Sequence, residues 1–410
     1  MWALLVVEGR KGLTRLARCA VFPQRARSSW ERCLAEHRWS LTALTERLGT
    51  LVGTQLGDPL HVHGASWLGT DPTLGAKTPQ RMLGVHKWTD HSDTADRGAS
   101  RVGHHWHLVG RRSPWESRWR CWPLGRRWVP GLTGARPWMV GDTAALMRVW
   151  DAASATILEG TRCVGDASGR VVAAASDAKA PFVGGLLARG LQVSRRRRTD
   201  AGSWDEPAPP APGKRGRQPR EGRQGPLASL LTAQTPPRER LPLDGKLPEG
   251  VFVVRDVWRR EVAQQGRGVG RDGAQEPIIL VSTDRARSAL QSIDLYGARF
   301  AIELTIRDVT QPCGVGDSQC TTPLALLRVV PLACGALCLW RLALLEHLEA
   351  GWLQVTSSRG ALPEAPWSFQ RVRRALRAWA TRQGLFATSA PGADVENIER
   401  DHEPLLQMLR

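Results

Sequence analysis

A chain of 410 residues that is 42% hydrophobic has the apolar content for a sizeable core spread over two or three domains. Its net charge of +18 and pI near 10.8 point to a polyanionic partner, and lysine occurs only at Lys11, Lys77, Lys87, Lys179, Lys214 and Lys246, so arginine carries the charge. The eight cysteines include no C-x2-C pair, and the longest apolar run, Val329 to Trp340, is broken by Pro331 and falls well short of the roughly 20 residues that span a bilayer, which argues against a zinc framework and a membrane anchor.

In chain order, Met1 to Val7 lacks a basic segment and is too short in apolar residues for a signal peptide, so reduced thiols and a cytoplasmic location are expected. From Ser28 to Leu56, apolar residues recur at threes and fours (Trp30, Leu34, Leu41, Leu44, Leu48, Leu51), which predicts a small helical domain. Residues 65–125 alternate short apolar runs with Gly, Pro and Asp, as the opening strands of a mixed sheet would. This region also holds His61, His63, His86, His91, His104, His105 and His107; their spacing lacks a ligand pattern, and they read as structural residues.

Thr143 to Leu158 reads as a helix, Arg170 to Ser176 as a buried strand, Pro181 to Arg189 as a helix and Leu191 to Ser194 as a strand, an alternation that favours an α/β layer. The arginines from Arg195 to Arg198 lead into a Pro- and Gly-rich stretch through Arg217, predicted as loop or linker. Arg195, Arg196, Lys214 and Arg215 are candidate nucleic-acid contacts there, with a solvated loop as the equal alternative. Val251 to Val262 and Pro277 to Val281 read as strands, and Gly266 to Arg271 as a surface turn.

The only tyrosine, Tyr296, opens a run in which Tyr296, Arg299 and Glu303 fall within roughly 60° on one helical face. Such a face offers a carboxylate for a divalent cation and two donors for phosphate oxygens. Val329 to Trp340 reads as a core helix, and Trp367 to Phe386 as a basic amphipathic helix.

The stretch from Pro277 to Gln319 resembles the catalytic segment of bacterial insertion-sequence transposases of the DDE type, which carry Tyr-x2-Arg-x3-Glu-x6-Lys. Tyr296, Arg299 and Glu303 match, and Thr310 stands at the lysine position. Upstream, Trp67 to Leu74 resembles the strand bearing the first catalytic aspartate, here Asp71. Gly84 to Ser92, Gly103 to Gly110, Ala178 to Phe182, Pro212 to Arg217 and Gly316 to Gln319 continue the series in order.

The resemblance implies an RNase H-like α/β core with a helical N-terminal domain and a strand-rich insertion. The expected boundaries are 1–60 for the helical domain, 61–199 and 277–350 for the two parts of the core, 200–276 for loop and insertion, and 351–410 for a basic C-terminal helix and tail. It further implies Asp71 and Glu303 as catalytic metal ligands in a site for two Mg²⁺ or Mn²⁺ ions, DNA contacts by Tyr296, Arg299 and Thr310, and a homodimer acting on element ends and target DNA in a nucleoid-associated setting. The family reaction is metal-dependent cleavage at the element end followed by strand transfer. At the second aspartate position, counted back from Lys179-Ala180-Pro181-Phe182, the chain has Ala174, with Asp177 three residues later. Since the middle carboxylate bridges two cations roughly 4 Å apart, the expectation is impaired catalysis. A noncatalytic DNA-binding remnant is the alternative.

Overall fold

The computed structural model describes residues 27–77, 82–89, 100–115, 118–129, 155, 157–158, 169–173, 180–197, 201–209, 221–227, 238–241, 250–259, 264–271, 279–319 and 322–349. Most of the helix expected over Thr143 to Leu158, residues Ala174, Asp177, Lys214 and Arg215, and the helix over Trp367 to Phe386 lie outside the described residues.

The helical pattern before residue 57 forms two helices, α1 (Arg27–Ala35) and α2 (Leu41–Leu56). Ser40 separates them because its hydroxyl accepts from Ala43 N at 3.1 Å and caps α2. A mixed sheet follows: β1 (His61–Val62), β2 (Ala65–Ala76), β3 (His86–Thr89), β4 (Ser100–Trp115), β5 (Arg118–Val129), β6 (Arg170–Ala173) and β7 (Gln192–Arg197), with α3 (Ala180–Leu187) between the last two. Side by side the central strands run β5, β4, β2, β6, β7. The first three are antiparallel, whereas β6 is parallel to β2 and β7 parallel to β6.

Parallel strands must be covered on both faces, and β6 is. Val171 and Ala173 pack with Phe182, Val183 and Leu186 of α3, while Val172 on the other face meets Trp67 and Leu295. Beyond β7 the sheet continues antiparallel through β13 (Ile279–Ser282), β12 (Gln264–Arg271) and β11 (Gly250–Arg259), with β8 (Gly202–Trp204), β9 (Gln224–Pro226) and β10 (Arg238–Leu241) at its far end.

Two expectations change here. The glycine-rich stretch from Gly266 to Arg271 is not a surface turn but most of β12, since β11 and β13 pair with it on both sides and their ladders outweigh glycine's cost in a strand. Arg195 is likewise not on a loop: it lies within β7, paired with Val281, and is 1% exposed. Its neighbour Arg196 points the other way and is exposed.

Three further helices cover the face of the sheet opposite α3: α4 (Ala289–Gly297), α5 (Phe300–Thr310) and α6 (Pro323–Glu349). The last is longer than the apolar run suggested. Within it Pro323–Leu342 is long and apolar enough to cross a membrane by length and composition, yet 67% of its most apolar window is buried in the protein. Leu326, Val330, Ala333 and Leu337 pack on Trp106, Leu108 and Trp128 of the sheet, so it serves as a core helix. Cys334 and Cys338 are buried on it as free thiols. Arg328, from the same helix, donates to the carbonyls of Leu34 at 2.8 Å and His37 at 2.7 Å and lies 4.5 Å from the ring of Trp39. A cation thus sits at the carbonyl-rich end of α1 and ties the N-terminal helices to the core.

Candidate functional site

Period two along β2 places Trp67, Gly69 and Asp71 in one row, and Trp67 packs with Val172 and Leu295 under α4. Asp71, half-buried, is therefore on the face covered by α4 and α5. The helix α4 opens with a reciprocal cap between Ser288 and Gln291, which fixes where its last turn ends.

Tyr296, Arg299 and Glu303 do not share one continuous helix. Ala298 and Arg299 keep helical dihedrals (φ −61°, ψ −18° and φ −56°, ψ −38°), but the backbone tightens to three-residue spacing, with Arg299 N donating to Tyr296 O at 2.9 Å and Ile302 N to Arg299 O at 3.1 Å. The three side chains still converge. Arg299 Nη2 meets Glu303 Oε1 at 2.5 Å, and the guanidinium carbon lies 5.6 Å from the centre of the Tyr296 ring.

Burial works against the charge of Arg299, but Tyr296, Glu303 and Asp71 outweigh it and hold its pKa above the ordinary value. Asp71 thus acts on the same guanidinium that grips Glu303, and the aspartate and glutamate face one cluster.

A second arginine completes this cluster, and nothing in the sequence pattern singled it out. Arg112, on β4, is wholly buried and donates from Nη1 to Leu295 O at 3.2 Å. Its guanidinium lies against Gly69: a Cβ built on that glycine would be 2.5 Å from both Nε and Nη2. Burial, with the Arg299 charge adding to it, lowers the Arg112 pKa to about 10 against the opposing effects of Cys121 and Asp71. The available signal was a glycine two residues before the aspartate, which made room for a long side chain from the neighbouring strand.

Thr310 ends α5 beside the 3-10 turn Val315–Asp317 and borders a cavity shared with Lys77 and His104. Lys77 donates to the carbonyls of Val315, Gly316 and Ser318 at 3.2, 2.7 and 2.7 Å, so its ammonium pins this turn to the end of β2. The histidines serve separate local contacts. His104 Nε2 lies 2.7 Å from Leu83 O, with burial lowering its pKa; His107 Nδ1 lies 3.3 Å from Thr70 Oγ1; His86 and His105 meet Trp88 edge-on.

Among the described residues no three His, Cys, Asp or Glu side chains form a group that could hold a metal. Glu303 is paired with Arg299, and the charge of Asp71 favours the charged form of both Arg112 and Arg299. In the parallel register Thr70 pairs with Ala173, so Asp71 follows at the described end of β6. What the cluster offers is a partly exposed guanidinium beside a phenol and a carboxylate, a group suited to gripping a phosphate oxygen. The chain matches no protein-family model and no curated protein sequence.

Proposed function

We propose that this chain is a DNA-binding protein of the DDE transposase type, with an RNase H-like core and a cleavage centre lacking one carboxylate. The observation that carries the reading is the convergence of Asp71, from β2, with Arg299 and Glu303, from the α4–α5 junction. These are the residues that the transposase-like motifs single out, and they come from segments far apart in the chain. The strand order β5, β4, β2, β6, β7, with its change from antiparallel to parallel at β6, supports an RNase H-like core, and the antiparallel extension through β13, β12 and β11 supports a strand-rich insertion.

In this reading a phosphate of the DNA backbone is bound by the Arg299 guanidinium, with the Tyr296 ring holding that side chain against α4. Arg299 is 22% exposed, enough to reach a ligand while its stem stays packed. Arg196, exposed on β7, adds positive charge. DNA at element ends and in the target is the proposed partner, with the protein acting as a homodimer. The parent reaction uses Mg²⁺ or Mn²⁺ to cleave a phosphodiester and join the freed 3′-hydroxyl to target DNA. Ala174 leaves that chemistry without its middle carboxylate, which favours weak or absent cleavage and gives weight to a noncatalytic DNA-binding role.

Arg299→Gln tests the phosphate grip. Measured on duplexes carrying the DNA that flanks the gene and on unrelated duplexes, its binding is expected to be weaker on both. Its log affinity against log salt should be flatter by about 0.9 for one lost phosphate contact. An unchanged slope in the variant would mean that Arg299 touches no phosphate.

A further inference from the structure

Strand register brings a further guanidinium to the face that holds Asp71 and Tyr296. Thr70, Ala173 and Arg195 lie side by side on β2, β6 and β7, which run parallel. One residue on, Asp71 and Arg196 share the next row, two strand spacings or roughly 10 Å apart, and point to the opposite face from that trio.

On its other side Arg196 lies directly opposite Leu280 of β13. Side chains paired in this way share a face, with Cβ atoms about 4.5–5.5 Å apart. Leu280 forms a cluster with Val269 and with Ala289 of α4, and Tyr296 packs against that cluster. Arg196 therefore stands beside the ground on which Tyr296 rests. A residue covered by α4 would be apolar here, as Val269 and Leu280 are, but Arg196 is exposed and marks the open margin of that cover. Its backbone is fixed in the ladder with β13, so the charged fork is carried on a rigid strand.

We infer that Arg196 is a second phosphate grip of this site, and that Arg299 and Arg196 hold two phosphates of one DNA strand running from the α4–α5 corner to β7. This rests on reading Arg299 as a ligand of a DNA phosphate. The arginine run of the chain is thereby divided by the pleat: Arg195 faces inward and is 1% exposed, and Arg196 faces the ligand.

The test is the salt dependence of binding by the full chain to duplexes carrying the DNA that flanks the gene. Arg196→Gln is expected to flatten log affinity against log salt by about 0.9, and the double variant with Arg299→Gln by about 1.8, one increment for each lost phosphate contact. Arg196→Lys keeps the charge and should keep the wild-type slope. Arg189 supplies the control: it is exposed just past α3, on the other face of the sheet, with Nη1 donating to Gly185 O at 2.7 Å. Arg189→Gln removes the same charge and should leave the slope unchanged. Neutral methylphosphonates at single positions of the DNA then tell the two grips apart, since each variant should lose sensitivity at a different phosphate of the same strand. An unchanged slope in Arg196→Gln overturns the inference. So does an equal loss in Arg189→Gln, which would mean diffuse attraction, and so do sensitive phosphates on opposite strands. If Arg299→Gln alone flattens the slope, this inference fails and the functional reading stands; if wild type binds no DNA, both fail.

Discussion

Trp67→Ala is expected to lower the stability of the protein by about 3–5 kcal/mol, the range for deleting a large buried aromatic side chain. Trp67 is 1% exposed and packs with Val172 and Leu295, so it joins the centre of the sheet to α4. Its indole N–H donates to Val62 O at 2.8 Å, which holds β1 in place. The ring also supports two cations, with Arg287 at 4.2 Å and Arg170 at 6.0 Å from its centre. Both arginines pair with Asp284 just after β13, at 3.1 and 3.2 Å. Removing the ring therefore empties a cavity and frees the linker that leads into α4. Urea unfolding followed by far-UV circular dichroism measures the loss, and a change below about 1 kcal/mol would show that the surroundings collapse into the space.

Arg341→Met is expected to cost a similar amount, about 3–5 kcal/mol, because it breaks a buried ion pair and leaves its partner behind. Arg341 is 2% exposed on α6, where it meets Asp308 Oδ2 at 3.2 Å and Thr305 Oγ1 at 3.1 Å and also donates to Cys121 O. One guanidinium thus fastens α5 to α6 and to β5, and α5 carries Glu303. The variant should accordingly lose DNA affinity along with stability. Pairing it with Asp308→Asn separates the two contributions. If the double variant is less unstable than the sum of the singles, the Asp308 carboxylate, left with only Arg307 at 3.3 Å, accounts for the difference.

The parts of the fold visible in the sequence were those set by local periodicity. The spacing of Leu41, Leu44, Leu48 and Leu51 gave α2 with its correct end, and the run from Arg170 gave β6 through Ala173. The cluster of Tyr296, Arg299 and Glu303 was also visible, although the helix carrying it tightens at Ala298. What stayed hidden depends on neighbours distant in the chain. Gly266 to Arg271 becomes a strand only because β11 and β13 lie on either side of it. The arginine run looked like a solvent-exposed loop until β13 paired with it and buried Arg195. Arg112 was invisible because its importance lies in the missing Cβ of Gly69 on the next strand, a pairing that no spacing along the chain encodes.

We propose that Ala174 leaves the Asp71–Glu303 site one carboxylate short of a cleavage centre. The measurement that tests it most directly is cleavage of labelled DNA from the gene's flanks, in Mg²⁺ and in Mn²⁺, by wild type and by Ala174→Asp. A third carboxylate would supply the missing bridge between two cations. Wild type is expected to bind this DNA without cutting it, and Ala174→Asp to cut it. Cleavage by wild type at the variant's rate would contradict it, and so would DNA that both proteins bind and neither cuts.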